Sequence, residues 1–325
     1  MSGIPGLALL LASLICGSGA TAPVSPGAAP GRARIVVMRD AEATQLYEPR
    51  LERVRAMVNQ GITNLTGRST VAAAWLSLVS TQDVIGLKVF AAPGSRSGTR
   101  PAVVAAVIEG LLEARIPAER IIIWDKHLAD LRQAGFETLA ARYGVRAKGS
   151  AEAGYDDQVF YETQLLGQLV WGDLEFGKRG EGIGRKSFVS KLVSREMTKI
   201  INITPLLNHN RAGVAGNLYG LAIGSVDNTR RFESDSGRLA NAVPEICALP
   251  ALGDRVALNI VDALICQYEG ELQTLLHYST VLNELRFSRD PVALDVYSLQ
   301  ELERQRKPGN AKPKALELYQ NAALL

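Results

Sequence analysis

Residues 198–220 read TKIINITPLLNHNRAGVAGNLYG, and this stretch decides the fold. It begins as an apolar, β-branched run, which is typical of a strand buried on both faces. We expect Pro205 to end the hydrogen-bonded ladder of this strand, because proline has no N–H group to donate. Polar side chains follow, and glycines then introduce a loop and the start of a helix. Open α/β sheets bind ligands where a buried strand ends in such a loop, so the stretch predicts a site.

A strand, a helix and a second strand are predicted before this stretch. Residues 84–89 and 120–125 have the apolar composition of buried strands, and residues 100–114 carry apolar side chains at helical spacing. Thr99 is a good N-cap for this helix, and Pro101 suits its first turn. This order and spacing predict a βαβ unit, in which the two strands run parallel.

Further elements extend the same alternation along the chain. Residues 255–262 and 281–287 predict strands, and residues 292–303 predict a helix with Asp290 as its N-cap. The remaining patterns predict a strand at 34–38, helices at 50–59, 70–79, 130–143 and 238–248, and a loop at 147–157. Together they predict an α/β fold: a mixed, largely parallel sheet with helices on both faces.

The predicted boundaries give one α/β domain over residues 34–305. Residues 150–195 are candidates for a small inserted lid or subdomain, and residues 306–325 for a linker and a short terminal helix. The glycine-rich, basic run at 177–187 leaves two alternatives: a surface turn, or a flap whose cations attract an anionic ligand. It is not a phosphate-binding P-loop, because Arg185 separates Gly184 from Lys186.

The first 22 residues contain no charged side chain and include an apolar run, which predicts a signal peptide. Small residues around Ala20 and Ala22 suit cleavage, and residues 23–33 read as a linker. We therefore expect an exported protein, periplasmic or extracellular, with no integral membrane segment after cleavage. No twin-arginine pair is present, and lipidation at Cys16 is the weaker alternative because the residues before it do not match a lipobox.

Composition and charge limit the function classes. The chain has 325 residues, 47% of them hydrophobic, and a formal net charge of +3. Its basic residues are scattered, so nothing predicts a nucleic-acid partner. Three histidines without ligand spacing on one element predict no metal site, and no cofactor motif is found. Cys247 and Cys266 leave two alternatives, a disulfide or two free thiols.

Polar side chains at the predicted strand ends are the candidate site residues. His209 and Asp262 are the candidate catalytic pair, because a carboxylate can orient a histidine that acts as acid or base. The candidates for binding a small, anionic ligand are Lys88, Thr99, Arg100, Asp125, Asn202, Asn217, Asp290 and Asp295.

Several of these residues also have a simpler interpretation. Lys88 is either a strand-end side chain that reaches water or a cation aimed into the site. Helix capping alone accounts for Asp290 and Asp295, and His209 can be a loop residue bonded to backbone. Ser95, Arg96, Ser97 and the start of the next helix suit an anion, although loop solubility alone explains the arginine.

Five motifs resemble, in order, those of the domain of unknown function 362 family. They are VIGLKV at 84–89, TRPAVVAAVI at 99–108, IIIWD at 121–125, KIINITPLLNH at 199–209 with its tail at 213–220, and IVD at 260–262 with SRDPVALD at 288–295. The last block is the most specific. The chain lacks two lysines of the family's pattern, at the positions near Leu207 and at Gly216, and it lacks the cysteine cluster of some relatives. The resemblance implies no reaction.

Two function hypotheses follow from the sequence. The first is an enzyme that acts on a small, anionic molecule, with His209 as acid or base and Lys88 among the positioning groups. The second is an exported protein that binds such a ligand without turnover. A purely structural protein is the third alternative, and it predicts no pocket.

Overall fold

The structure is a computed structural model that describes residues 33–163, 184–306 and 316–324. Strands β1 to β12 span Val36–Arg39, Thr44–Gln45, Glu48–Pro49, Ile85–Val89, Ile121–Asp125, Arg146–Gly149, Tyr155–Glu162, Lys186–Ser190, Lys199–His209, Gly213–Val214, Val256–Gln267 and Ser279–Ser288. Helices α1 to α12 span Leu51–Thr66, Val71–Leu76, Gly94–Ser97, Pro101–Glu113, Leu128–Gln133, Phe136–Tyr143, Ser150–Ala153, Asn217–Ser225, Arg230–Glu233, Ser236–Cys247, Pro291–Gln305 and Leu316–Ala322. The predicted signal peptide, most of the linker after it and most of the glycine-rich run lie outside the described residues.

The main sheet confirms the predicted fold class. Its strands lie in the order β1-β12-β11-β9-β4-β5-β6, and the short strand β10 pairs with β9 at one end. The central strands β11, β9, β4, β5 and β6 are mutually parallel. The pairs of β1 with β12, β12 with β11, and β10 with β9 are antiparallel. The β4–α4–β5 segment is thus the predicted parallel βαβ unit.

Helices cover both faces of this sheet, as predicted. Ile121 and Ile123 of β5 pack into one apolar cluster, which contains the buried sides of α1, α2, α4 and α6. Ile122 and Trp124 point the other way, into a second cluster with α8, α10, α11 and α12. Alternation of side chains along a strand explains why neighbouring residues of β5 serve opposite layers. Among the described residues, no helix has the length and apolar character needed to cross a membrane.

The prediction that Pro205 ends the hydrogen-bonded ladder is wrong for the strand as a whole, because β9 continues to His209 and pairs again with β11 at Leu207. Strand β4 pairs with β9 only as far as Ile203, so no ladder on that side needs the N–H group at Pro205. On the other side Pro205 lies opposite Asp262, and the pairing with β11 becomes irregular directly afterwards. The missing donor therefore falls where both ladders already end or shift.

The prediction of a loop at residues 147–157 is also wrong. The segment contributes to β6, α7 and the start of β7. Strand β6 reads RAKG and lies at the edge of the sheet with half-buried polar side chains, a composition that resembles a loop. Strand β7 pairs with β8 in a separate two-stranded sheet within the region predicted as an insert.

Candidate functional site

Parallel strands place Lys88, Asp125 and Asp262 toward one edge of the sheet. Lys88 lies near the end of β4 and is fully buried, with its Nζ donating to Asp125 Oδ1 at 2.8 Å and to Val89 O at 2.7 Å. The second carboxylate oxygen of Asp125 accepts from Ala91 N at 2.7 Å. Helix α8 passes so close that a Cβ on Gly224 would lie 2.2 Å from Lys88 Cε. The lysine therefore does not reach water, and Asp125 balances its charge.

Thr99 connects two strands, and it is not the N-cap of α4. Its Oγ1 accepts from Phe90 N at 2.9 Å and donates to Ile203 O at 2.7 Å. The N-cap position belongs to Arg100, whose backbone is extended and whose side chain makes no cap bond. The prediction of Thr99 as N-cap is therefore wrong, because the hydroxyl is engaged by the backbone of β9.

Asp262 performs the capping from outside the helix. Its Oδ2 accepts from Arg100 N and its Oδ1 from Arg100 Nη1, each at 3.0 Å, and both side chains are buried. Leu264 N also donates to Oδ1, at 3.3 Å. The guanidinium of Arg100 in turn donates to Arg96 O at 3.0 Å. The candidate catalytic carboxylate is thus saturated by the start of α4 and by its own strand.

A second buried network surrounds the start of α8. Asn202 Nδ2 donates to Asn217 O at 2.9 Å, and Asn217 Nδ2 donates to Asp295 Oδ1 at 2.8 Å. Asp295 also accepts from Asn217 N at 2.7 Å and from Leu218 N at 2.9 Å, so it caps α8 from the neighbouring helix α11. Burial raises the pKa of Asp295 to about 6, although these hydrogen bonds oppose the rise. Asp290 caps α11 itself by accepting from Ala293 N at 2.9 Å.

His209 lies at the end of β9, apart from these networks. Its Nδ1 accepts from Ala212 N at 2.9 Å, and its ring lies 4.2 Å from that of Tyr219. Burial lowers the pKa of His209 to about 4, while the negative charge of Glu271 opposes this effect. The imidazole is therefore neutral at pH 7, and the acceptor on Nδ1 places its proton on Nε2.

The predicted site residues therefore form separate groups, and Asp290 follows the end of the antiparallel strand β12, away from the carboxyl ends of β4 and β5. Lys88 pairs with Asp125, Arg100 with Asp262, and Asn202 with Asn217 and Asp295, whereas His209 and Asp290 belong to none of these groups. Hydrogen bonds and burial account for most of these side chains without a ligand, whereas the buried Oδ1 of Asn202 accepts no hydrogen bond from any residue that the structure describes. Their roles in catalysis or in ligand binding stay predictions.

A cavity of about 470 Å³ opens beside the start of α4 at this edge. We call it the Arg96 cavity, and its lining residues are Tyr47, Glu48, Pro49, Ser95, Arg96, Arg100, Pro101, Ala102 and Ala134. Of the predicted ligand-binding residues, only Arg100 lines it. Ser95 and Arg96 belong to the segment that the sequence suggests for an anion, whereas Tyr47 and Glu48 were missed.

A small hairpin brings the two missed residues to the cavity. Strands β2 and β3 pair with each other, and Tyr47 lies in the turn between them with a φ of 65°. Thr44 Oγ1 donates to Asn283 Oδ1 at 2.7 Å, and Asn283 Nδ2 donates to Ala41 O at 3.0 Å. Because this support comes from β12, far away in the chain, no local pattern in the sequence signals it.

In the part of the chain that the structure describes, few side chains are placed to support metal or thiol chemistry. No three histidine, cysteine or carboxylate side chains cluster there as ligands for a metal ion. Cys247 and Cys266 are free thiols, and burial raises the pKa of both. Neither cysteine lines the Arg96 cavity.

The fold and this edge define an α/β protein whose parallel strands end in buried polar networks beside a cavity. The family model called Domain of unknown function (DUF362) matches residues 85–300. The chain belongs to this family, which confirms the resemblance found in its motifs.

The other comparisons add little. No curated protein matches the chain. A crystal structure of a protein from Thermotoga maritima is similar over 80% of this chain, with 11% sequence identity and a TM-score of 0.42. The chain spans 59% of the length of that protein.

Proposed function

We propose that this protein binds a small anionic ligand in the Arg96 cavity. The observation that carries the proposal is that the guanidinium of Arg96 has no ion-pair partner among the described residues. The side chain of Arg96 is exposed and lines the cavity. An arginine without a protein partner offers its planar, five-donor fork to a carboxylate or phosphate group.

Two neighbouring groups favour the same ligand charge, whereas Glu48 in the same lining carries a negative charge. Arg100 adds a second guanidinium to the lining, although Asp262 balances its charge. Ser95 adds a hydroxyl that can donate to an anion. The volume of about 470 Å³ falls within the range of roughly 300–1,000 Å³ that is usual for small-molecule sites. The cavity therefore suits a molecule of metabolite size.

Binding without turnover is the form of this function that the geometry favours. General base catalysis by His209 would require the bond from Ala212 N to Nδ1 to break, because Nε2 carries the proton. Both oxygens of Asp262 already accept hydrogen bonds. Neither residue lines the Arg96 cavity. Acid–base chemistry by these two residues stays a prediction, and we propose ligand binding as the function.

Calorimetric titration with phosphate, sulfate, citrate and acetate at low ionic strength tests the proposal. We expect at least one of these anions to bind, and Arg96→Gln to weaken that binding by about fivefold or more, since a charge-assisted bond contributes about 1 kcal/mol or more. Arg68→Gln is the matched control, because Arg68 is exposed and does not line the cavity. Equal affinities for the wild type and Arg96→Gln would contradict the proposal.

A further inference from the structure

We infer that the ligand of the Arg96 cavity is a zwitterion, with an anionic group for Arg96 and an ammonium group for Glu48. The inference rests on the proposed function and specifies its ligand class. The observation behind it is that the lining of this cavity contains both an acidic residue, Glu48, and a basic residue, Arg96.

The two charges do not neutralise each other. Neither Glu48 nor Arg96 forms an ion pair with any residue that the structure describes, including with one another. The backbone of each is fixed: Glu48 pairs with Gln45 in the hairpin, and Arg96 lies in α3. Two opposite charges that line one cavity without forming an ion pair with each other can both be satisfied by a ligand that carries the complementary pair.

A simple anion fits this lining less well. It would lie near the carboxylate of Glu48, and that contact is repulsive. An ammonium group at the same place is attracted by Glu48, and Tyr47, another lining residue, has an aromatic ring of the kind that attracts cations. The lining therefore discriminates between an amino acid and the carboxylic acid of equal length.

Matched probes test this discrimination. Calorimetry compares glycine with acetate, 4-aminobutyrate with butyrate, and 5-aminovalerate with valerate, which differ only in the ammonium group. We expect at least one amino acid of the series to bind about threefold or more tightly than its partner, the upper range for an exposed charge pair.

Variants show which residue causes the preference for the amino acid over the matched carboxylic acid. Glu48→Gln should remove the preference and tighten the binding of the carboxylate, because the repulsion disappears. Arg96→Gln should weaken both members of the pair. Glu119→Gln is the matched control, since Glu119 is exposed, has no ion pair among the described residues and precedes β5 at the opposite edge of the sheet. Circular dichroism and thermal unfolding check that each variant folds.

The outcomes separate the two proposals. Equal or tighter binding of the carboxylates, together with tighter binding in Glu48→Gln, would overturn the zwitterion and leave a simple anion site. Absence of binding by all six probes while phosphate or citrate binds would overturn it as well. If no probe binds and Arg96→Gln changes nothing for any anion, the proposed function fails with it.

Discussion

Lys88 is a cation placed where no water reaches it. Removing a lysine and an aspartate from water costs several kcal/mol for each ion, so their mutual attraction alone does not guarantee a gain. Here Asp125 also accepts from Ala91 N, and the Lys88 ammonium also donates to Val89 O and lies 5.5 Å from the Trp124 ring. The pair thus fixes the ends of β4 and β5 relative to each other, beside the edge that carries the cavity.

His209 shows the opposite response to burial, because it stays neutral. Its Nδ1 bond to Ala212 N closes the turn between β9 and β10, and Tyr219 covers its ring. Protonation would place a cation in this partly buried position and would also replace the acceptor at Nδ1 by a second N–H donor. The folded protein therefore resists the proton that an unfolded chain accepts.

This resistance predicts a pH dependence of stability with a definite sign. The pKa of His209 is about 4 in the folded protein and 6.5 in the unfolded chain, so between these values only the unfolded chain binds the proton. The free energy of unfolding therefore falls as the pH is lowered through this window. His209→Asn keeps an acceptor for Ala212 N and does not titrate, so we expect it to lose less stability on acidification, by at most about 3 kcal/mol. Urea unfolding at pH 7, 6, 5 and 4 measures the difference.

The control for this experiment is His209→Ala, which removes the acceptor as well as the titration. We expect it to be less stable than His209→Asn at every pH, because Ala212 N loses its partner. Identical pH profiles for the wild type and His209→Asn would contradict the argument.

Helix α8 is an element whose N-terminus depends on another helix. All but one of its residues are buried, so water cannot satisfy its first N–H groups. Asp295 of α11 accepts from two of them, and a Cβ on Gly216 would lie 2.3 Å from Asp295 Oδ1. Glycine before α8 is therefore what allows the carboxylate to approach, and the two helices are fixed together by this contact.

The two aspartates of the SRDPVALD block should differ in their contribution to stability. Asp295→Ala leaves buried donors at Asn217 and Leu218 without a partner, and we expect it to lower the free energy of unfolding by about 3 kcal/mol. Asp290→Ala removes an ordinary, half-buried N-cap, and we expect a loss of about 1 kcal/mol. Urea unfolding at pH 7 compares the two variants. Equal losses would show that the contact between α11 and α8 stabilises the fold no more than an ordinary N-cap does.

Elements with strong local signals could be predicted from the sequence, and elements set by their neighbours could not. Strand β5 is a continuous apolar run, and α4 and α11 each have a proline in the first turn and a clear apolar face. Strand β6 contains polar residues and forms a strand because it pairs with the edge of β5. Strand β9 passes through Pro205 because its partners end or shift there. In both cases the neighbouring strands decide what the local composition cannot: β5 pairs with a polar segment, and the partners of β9 require no donor at Pro205.

At the scale of the whole molecule, the edge could be predicted but the cavity could not. The βαβ pattern places the loop after β4 and Asp125 at the same edge of a parallel sheet, and the pairing of β11 with β9 brings Asp262 to that edge. The Arg96 cavity also needs Glu48, which reaches it because Thr44 is bonded to Asn283, 239 residues away. A contact at such separation leaves no periodicity in the sequence. The polar motifs therefore lead to this edge, whereas the Arg96 cavity also depends on Glu48, which lies in none of them.

The predicted export by a cleaved signal peptide concerns the chain as a whole. Residues 1–22 predict a cleaved signal peptide, so protein recovered from outside the cytoplasm of its host should begin at Thr21 or at Pro23. Leu10→Arg together with Leu11→Arg places two charges in the apolar run and should retain an uncleaved chain in the cytoplasm. Val24→Arg, in the predicted linker, should leave export unchanged. Intact-mass spectrometry of each fraction distinguishes these outcomes, and a lipid-modified chain that begins at Cys16 would indicate anchoring instead of release. Full-length protein in the cytoplasm of the wild type would contradict export, and the ligand would then have to be sought among cytoplasmic molecules.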